Sequence, residues 1–301
     1  DDGQTASDLL RRADMAMYSV KARGGHGAAW FETALDERMA ERAAMLADLR
    51  GALERGEFEL HYQPRRHVRS GAVRSAEALL RWRHPSRGLV RPVRFVCLLE
   101  ETGQIDAVGH WAIATACRQV AAWRAQGLPL QTVAVNISTR QLQGPHLADH
   151  VAASLKDANL PASALELEVT ESVFVGDSAT AIARLHAIQQ LGVTIALDDF
   201  GTGYSSLSYL QKLPIGTLKV DRSFVAELGV RPSAMAVTRS IVALARALEL
   251  QVVAEGVETP DQAQLLVELG CDELQGYLIT RPLPADEVPA FVARQAAEAA
   301  A

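Results

Sequence analysis

Cysteine is scarce in this chain: Cys97, Cys117 and Cys271 are the only three in 301 residues. They are far apart and odd in number, and no CxxC pair occurs, which excludes a disulfide framework. Three small buried hydrophobes in a reducing compartment are expected. There is no apolar run of membrane-spanning length, and no signal peptide is expected. An excess of basic charge is also missing: 30 basic against 36 acidic residues leave a net charge of −6. Neither a nucleic-acid polymer nor an anionic membrane surface is expected as a partner. The eight histidines (26, 61, 67, 84, 110, 146, 150 and 186) share no metal-ligand spacing. The GxGxxG fingerprint is absent, and no GK[ST] follows "GTGYSS", so a dinucleotide fold and a Walker loop both lose their marker. The first residue is Asp1 rather than Met; the expectation is a cytoplasmic piece of a longer protein, with any membrane anchor or sensor upstream.

What is present is a hydrophobic content of 49%, enough for a large core, in a length that suits a single α/β barrel. "LLRRADMAMYSVKARGG" (9–25) carries apolar residues at helical spacing and stops at Gly24-Gly25. A second helix is predicted over about 36–55, with Met39, Leu46, Leu49 and Leu53 as its stripe. From there strand and helix alternate. Strands are predicted at 58–64, 73–82, 132–138, 164–172, 193–200, 216–223, 251–258 and 273–279. Helices are predicted at 106–126, 146–158, 177–191, 232–248 and 260–269. Pro232-Ser233 and Thr259-Pro260-Asp261 read as helix entries, Gly192 and Gly270 as helix exits. Eight such units point to a (β/α)8 barrel; a doubly wound open sheet is the other architecture they allow.

The strand ends carry one kind of chemistry. In chain order they offer Gln63, Glu77 with Arg81, Asn136, Glu168 with Glu171, Asp198 with Asp199, Lys219 with Asp221, Glu255 with Glu258, and Gln275. A lone carboxylate at a strand end usually caps a helix or faces water. Eight coincident polar ends in a barrel converge on one face, where active sites sit. Glu77, Asn136, Glu168, Asp198, Asp199 and Glu255 are hard oxygen donors, which suit Mg²⁺, Mn²⁺ or Ca²⁺ rather than Zn²⁺. Such a crowd of carboxylates needs cations or protons to coexist. Two divalent ions, with Asp198 bridging them and Asp199 on the second, would suit in-line attack on a phosphodiester. Lys219 adds a positive charge. Gly201 and Gly203 permit a tight turn after the aspartate pair, and Tyr204, Ser205 and Ser206 are placed to start the next helix.

These residues resemble the EAL domain, the phosphodiesterase of bacterial cyclic di-GMP signalling. Glu77-Ala78-Leu79 spells the family's name within "AEALLRWRHP", and the likeness extends through "YQP" (62–64), "EETG" (100–103), "VNIS" (135–138), "QLQ" (141–143), "ELEVTES" (166–172), "LDDFGTGYSSLSYL" (197–210), "LKVDRSFV" (218–225), "VVAEGVET" (252–259) and "LQGYLITRPLP" (274–284). The resemblance implies a modified TIM-type (β/α)8 barrel whose first strand runs antiparallel, and Mg²⁺- or Mn²⁺-dependent hydrolysis of cyclic di-GMP to linear pGpG, with Ca²⁺ inhibiting. It implies metal ligands at Glu77, Asn136, Glu168, Asp198, Asp199 and Glu255. Lys219 would orient or deprotonate the attacking water, and Glu258 and Gln275 would position it. Gln63, Leu79 and Arg81 would contact substrate. Glu171 would anchor the loop that carries the aspartate pair and link homodimer packing to activity.

The segment at 9–25 resembles the last helix of a GGDEF domain without that domain's signature, so the expected layout is a GGDEF remnant at 1–34, a linker or first helix at 35–55 and the EAL barrel at 56–301, cut from a GGDEF–EAL tandem. Five residues in three places depart from the family pattern: Arg65-Arg66-His67 stands where apolar residues are usual, Cys97 where a proline is common, and Arg74 interrupts the second strand. The alternative reading is a catalytically inactive module that binds cyclic di-GMP or a partner protein; a third is an unrelated barrel hydrolase acting on another phosphodiester.

Overall fold

A long antiparallel hairpin opens the barrel. Strand β1 (Phe58–His67) pairs antiparallel with β2 (Val73–His84), so that Tyr62 faces Ala78 and Gln63 faces Glu77. The computed structural model describes residues 33–174, 178–201 and 210–300, with a few residues between 5 and 17. It divides into two compact units, Asp1–Glu57 and Phe58–Ala301. In the first unit, helix α1 (Thr33–Leu49) is followed by turns. The helix predicted to reach residue 55 therefore stops six residues early; Gly51 adopts a φ of 72°, and a left-handed glycine terminates a helix. Most of the segment at 9–25 lies outside the described residues, as do Gly203, Tyr204, Ser205 and Ser206.

In the second unit a short strand β3 (Gly88–Val90) extends β2. Six more strands follow: β4 (Thr132–Asn136), β5 (Leu165–Thr170), β6 (Thr194–Phe200), β7 (Thr217–Val220), β8 (Gln251–Ala254) and β9 (Glu273–Leu274). Each is parallel to its predecessor in the order β2, β4, β5, β6, β7, β8, β9. Strand β1 runs antiparallel to both β2 and β9 and closes the ring at eight strands. The architecture is therefore the modified barrel with one reversed strand, and closure excludes the doubly wound open sheet. A two-residue strand, β10 (Leu283–Pro284), is added to β1.

The helices of this unit are α2 (Val96–Thr102), α3 (Ile105–Ala125), α4 (Thr139–Gln143), α5 (Leu147–Asp157), α6 (Ser178–Gln190), α7 (Arg222–Ala226), α8 (Pro232–Ala247), α9 (Pro260–Leu269) and α10 (Val288–Ala300). The punctuation read from the sequence acts as expected at α9. Thr259 accepts from the Gln262 backbone N–H in a capping box, Pro260 takes the first turn, and Gly270 closes the helix at a φ of 96°.

Alternation along each strand sorts the side chains. Val133, Val135, Leu165, Leu167, Ile195, Leu197, Leu218, Val220, Val252 and Ala254 join the apolar layer under the helices. Tyr62 and Trp123 meet there edge to face at 4.7 Å between ring centroids. The opposite parity carries Glu77, Asn136, Glu166, Glu168, Asp198, Thr217 and Lys219 into the barrel. Cys117 and Cys271 are buried, and burial pushes their thiols up to about 11 and about 12. Cys97, expected in the core, is exposed on the first turn of α2. Strand β2 runs on through Arg74, which projects to solvent, but the β1–β2 register shifts there: Arg65 faces Ser75 and Arg66 faces Val73.

The segment after β9 leaves no room beside Gly276. A Cβ there would lie 2.2 Å from both the amide nitrogen and the carbonyl oxygen of Val257, which is itself tied to Gln275 by a 3.0 Å hydrogen bond. Gly276→Ala is expected to destabilise the barrel by about 1–3 kcal/mol, the usual range for overpacking, as measured by urea unfolding.

Candidate active site

Lys219 is the centre of the site. It is fully buried, and its Nζ lies 2.5 Å from Glu255 Oε1, 2.6 Å from Glu168 Oε2, 3.0 Å from Asp198 Oδ2 and 3.8 Å from Glu77 Oε2. Four strands thus deliver carboxylates to one ammonium. Asn136 Nδ2 donates to Glu77 Oε1 at 2.6 Å, and Gln275 Nε2 donates to Glu77 Oε2 at 2.5 Å and to Gln63 Oε1 at 3.2 Å. Residues 63 to 275, dispersed over most of the chain, meet within one polar cluster.

The adjacent aspartates are brought to the same side by the backbone. Asp199 adopts a φ of 54°, and the β6–β7 register slips between Leu197 and Phe200. The reversal lets the Asp199 N–H donate to Asp198 Oδ1 at 2.8 Å. Carboxylate oxygens of Asp198, Asp199 and Glu255 then lie within 4.8 Å of one another. Two residues later Gly201, at a φ of 94°, donates its N–H to Glu171 Oε1 at 3.1 Å.

Above the cluster opens a cleft of about 260 Å³ lined by Gln63, Glu77, Leu79, Asp198, Glu255, Glu258, Gln275 and the less expected Arg222 and Tyr277. Arg81 is not among its lining residues; the side chain is half-buried and donates to the Leu80 carbonyl, and burial with Arg91 nearby pulls its pKa down. Glu258 stands at the rim, exposed, and Lys219 and Glu168 form the floor. Leu79 also lines an adjoining, larger cavity of about 530 Å³ walled by Leu80, Val93, Val96, Val108 and Ile137, with Asn136 at its edge.

The family model of the EAL domain matches residues 46–282. The chain belongs to the EAL domain family. Among its relatives, the Pseudomonas aeruginosa protein named bifunctional diguanylate cyclase/cyclic di-GMP phosphodiesterase MucR is 44% identical over 292 residues, 97% of this chain and 43% of MucR. The P. aeruginosa cyclic di-GMP phosphodiesterase NbdA is 42% identical over 97% of this chain and 37% of its own length. The chain thus spans about two fifths of the curated relatives it matches. The solved structure of the PaMucR phosphodiesterase in complex with c-di-GMP superposes with a TM-score of 0.79 at 45% identity, covering 81% of this chain and 99% of that one. No helix among the described residues is long and apolar enough to cross a membrane.

Within this EAL domain the electrostatics divide the carboxylates. Burial opposes ionisation of Glu77, yet the charges of Lys219 and Arg65 with two amide hydrogen bonds bring it down to about 2. Burial, with Glu77 beside it, raises Glu168 well above the usual carboxylate range. Burial and the charges of Asp198 and Asp221 raise Asp199 to about 6, and burial raises Glu255 to about 7 against the pull of Lys219. Burial works against the Lys219 ammonium too, but the surrounding Glu168, Glu255, Glu77 and Asp198 raise its pKa well above that of free lysine. The cluster of Asp198, Asp199 and Glu255 is composed of hard oxygen donors and carries more negative charge than its neighbours neutralise, so it fits a divalent cation.

Arg65 is the functional-site residue that sequence reasoning set aside as a departure. It is fully buried beneath the cluster, not exposed on the strand. Its single local signal was parity: two residues after Gln63, it must share that residue's inward face.

Asp199 and Glu255 hold protons where an unfolded chain has lost them. Their stabilising share is fully present below the ordinary values of 3.8 and 4.5, and is lost as pH rises through about 6 and about 7. The Tm of the metal-free domain is expected to fall between about pH 5 and about pH 8, by roughly 2–4 °C for each kcal/mol of linkage in a domain of this size. Mn²⁺ added at the higher pH should reverse the fall. Thermal scans at matched ionic strength measure both.

Proposed function

We propose that this EAL domain hydrolyses cyclic di-GMP to linear pGpG: water adds to one phosphorus, the bond to the 3′ oxygen breaks, and a 5′-phosphate and a 3′-hydroxyl result. The observation that carries the reading is the group of Asp198, Asp199 and Glu255 oxygens within 4.8 Å of one another, directly over a buried lysine. Glu77, Asn136, Glu168, Asp198, Asp199 and Glu255 would hold Mg²⁺ or Mn²⁺, in a two-metal site. Bound there, the ions supply an activated water and offset the charge developing on the phosphoryl oxygens.

The chain's own residues have distinct parts. Lys219 keeps its proton among four carboxylates, which supports orienting and hydrogen-bond donation over action as a base. Glu77, held ionised by the charges of Lys219 and Arg65 and by hydrogen bonds from Gln275 and Asn136, presents a fixed negative charge to the cleft. Gln275 and Glu258 stand where they can position water. Gln63 and Leu79 line the cleft and are assigned to the sugar–phosphate ring; Arg81, which does not line it, is assigned to a phosphate. The adjoining apolar cavity behind Leu79 offers space for a guanine base. MucR's solved complex with c-di-GMP, at 45% identity, supports the same substrate here.

The layout expected from the sequence is kept as part of this reading: a GGDEF remnant at 1–34, a linker helix at 35–55, the EAL barrel at 56–301, a homodimer in which Glu171 and the loop after the aspartate pair link packing to turnover, and cytoplasmic action with any sensor upstream. An inactive cyclic di-GMP receptor is the rival, and the intact acidic set speaks against it.

Incubating the domain with cyclic di-GMP and Mg²⁺ should yield pGpG on anion-exchange chromatography; tight binding with no product would establish the receptor instead. Glu77→Ala and Asp198→Ala are expected to abolish turnover. Lys219→Ala should lower kcat on the order of 100-fold or more, as loss of a preorganised donor does, with a smaller change in KM. Ca²⁺ in place of Mg²⁺ should inhibit, since its longer bonds and looser geometry misplace the water.

A further inference from the structure

Arg65 reaches the floor of the site from β1, the one barrel strand that runs the other way. It is 2% exposed. Its donors go to three different acceptors: Nε to Gln275 Oε1 at 2.8 Å, Nη1 to Glu166 Oε1 at 2.7 Å, and Nη2 to Glu168 Oε1. The remaining oxygens of both glutamates are taken as well. Thr217 Oγ1 donates to Glu166 Oε2 at 2.7 Å, and Lys219 Nζ donates to Glu168 Oε2 at 2.6 Å.

The consequence lies in the amide of Gln275. A side-chain amide has one accepting oxygen and one donating nitrogen, whereas a guanidinium only donates. With Arg65 at 2.8 Å, the Gln275 oxygen must face it, and the nitrogen must face Glu77 Oε2 and Gln63 Oε1. The flipped amide would set N–H against N–H on one side and oxygen against two oxygens on the other. Arg65 thereby determines that Glu77 is met by a donor. It also spreads Glu168 between two cations, one oxygen to each.

We propose that Arg65 is a positioning residue for the cleavage reaction: its guanidinium orients Gln275 and Glu168, and through them presets two sides of the cation cradle before any ion binds. The reaction it serves rests on the function proposed above; the presetting of the cradle does not. Lysine at this position would keep the charge but not the planar fork, and one ammonium does not span Gln275, Glu166 and Glu168 as the fork does.

Two variants separate positioning from simple charge balance. Arg65→Lys keeps a cation and so the fold. The double variant Arg65→Met with Glu166→Gln removes the cation together with the carboxylate that depends on it, and Thr217 keeps an acceptor. Urea unfolding, Mn²⁺ binding by titration calorimetry without substrate, and kcat and KM for cyclic di-GMP are measured on each. Both variants are expected to unfold near the parent midpoint, to bind Mn²⁺ on the order of 10–100-fold more weakly, the range seen when partners of metal ligands are lost, and to lose kcat with little change in KM. A double variant with parental stability, Mn²⁺ affinity and kcat would reduce Arg65 to a neutraliser of Glu166 and overturn the proposal. If the parent binds Mn²⁺ but yields no pGpG, the phosphodiesterase reading fails while the Mn²⁺ comparison still decides the role of Arg65. A parent that binds no Mn²⁺ overturns both.

Discussion

Compensation of buried charge governs this barrel. The interior of a (β/α)8 barrel is ordinarily packed with branched apolar side chains; here the same positions carry Glu77, Glu166, Glu168, Asp198, Arg65 and Lys219, all buried. An ion taken from water into such an interior loses several kcal/mol of hydration, which only good geometry and complete hydrogen bonding recover. The lower layer meets that condition internally, since every oxygen of Glu166 and Glu168 has a donor. The upper layer does not. Asp199 and Glu255 sit at the mouth with pKa values raised to about 6 and about 7, by burial first and by nearby carboxylates after it, and Glu168 in the floor is raised for the same reasons. Six carboxylates face two cations across the whole cluster. Protons held by Asp199 and Glu255 offset part of that excess, and a divalent cation at the Asp198, Asp199 and Glu255 cluster would displace them.

The reversed first strand is what makes that floor possible. In a fully parallel barrel, every wall presents a strand's C-terminal end to the catalytic face. The β1–β2 hairpin instead aligns Gln63 with Glu77 and Arg65 with Ser75, in mid-strand. Gln63 and Arg65, two residues apart on one inward face, then reach the Gln275 amide from above and below. A side chain as long as arginine can enter the barrel beneath the Asp198, Asp199 and Glu255 cluster because its own strand runs past that level without ending there.

Much of this was legible in the amino-acid sequence. Strand–helix alternation gave the barrel, and the capping signals at Thr259, Pro260 and Gly270 gave helix boundaries, because those depend on neighbours one turn away. The oxygen-rich strand ends gave the cluster, since β parity and barrel topology together force them onto one face. Strand direction was not readable from periodicity, which is identical in both directions; it came through resemblance to the EAL family. Arg65 stood out only as a departure from the family pattern because its partners lie 101, 103 and 210 positions away, and no local pattern encodes a contact at that range. Cys97 was assigned to the core by residue type, although its place on the first turn of α2 leaves it exposed. The over-long helix at 36–55 came from an apolar stripe that continues past Gly51, where the backbone turns left-handed.

The paired aspartates also show how local strain can serve a distant partner. Neighbours on a regular strand point to opposite faces, so Asp199 would leave the site that Asp198 enters. A left-handed backbone at Asp199 re-aims it, at an energetic cost that aspartate bears better than most residues. Such a conformation persists only where its surroundings over-determine it. On one side the Asp199 N–H is held by Asp198 Oδ1; on the other, Gly201 is held by Glu171. The second Glu171 oxygen, Oε2, is buried without a hydrogen-bond partner among the described residues. One carboxylate from just beyond β5 is therefore hydrogen-bonded to the backbone two residues past the neighbouring strand's last aspartate.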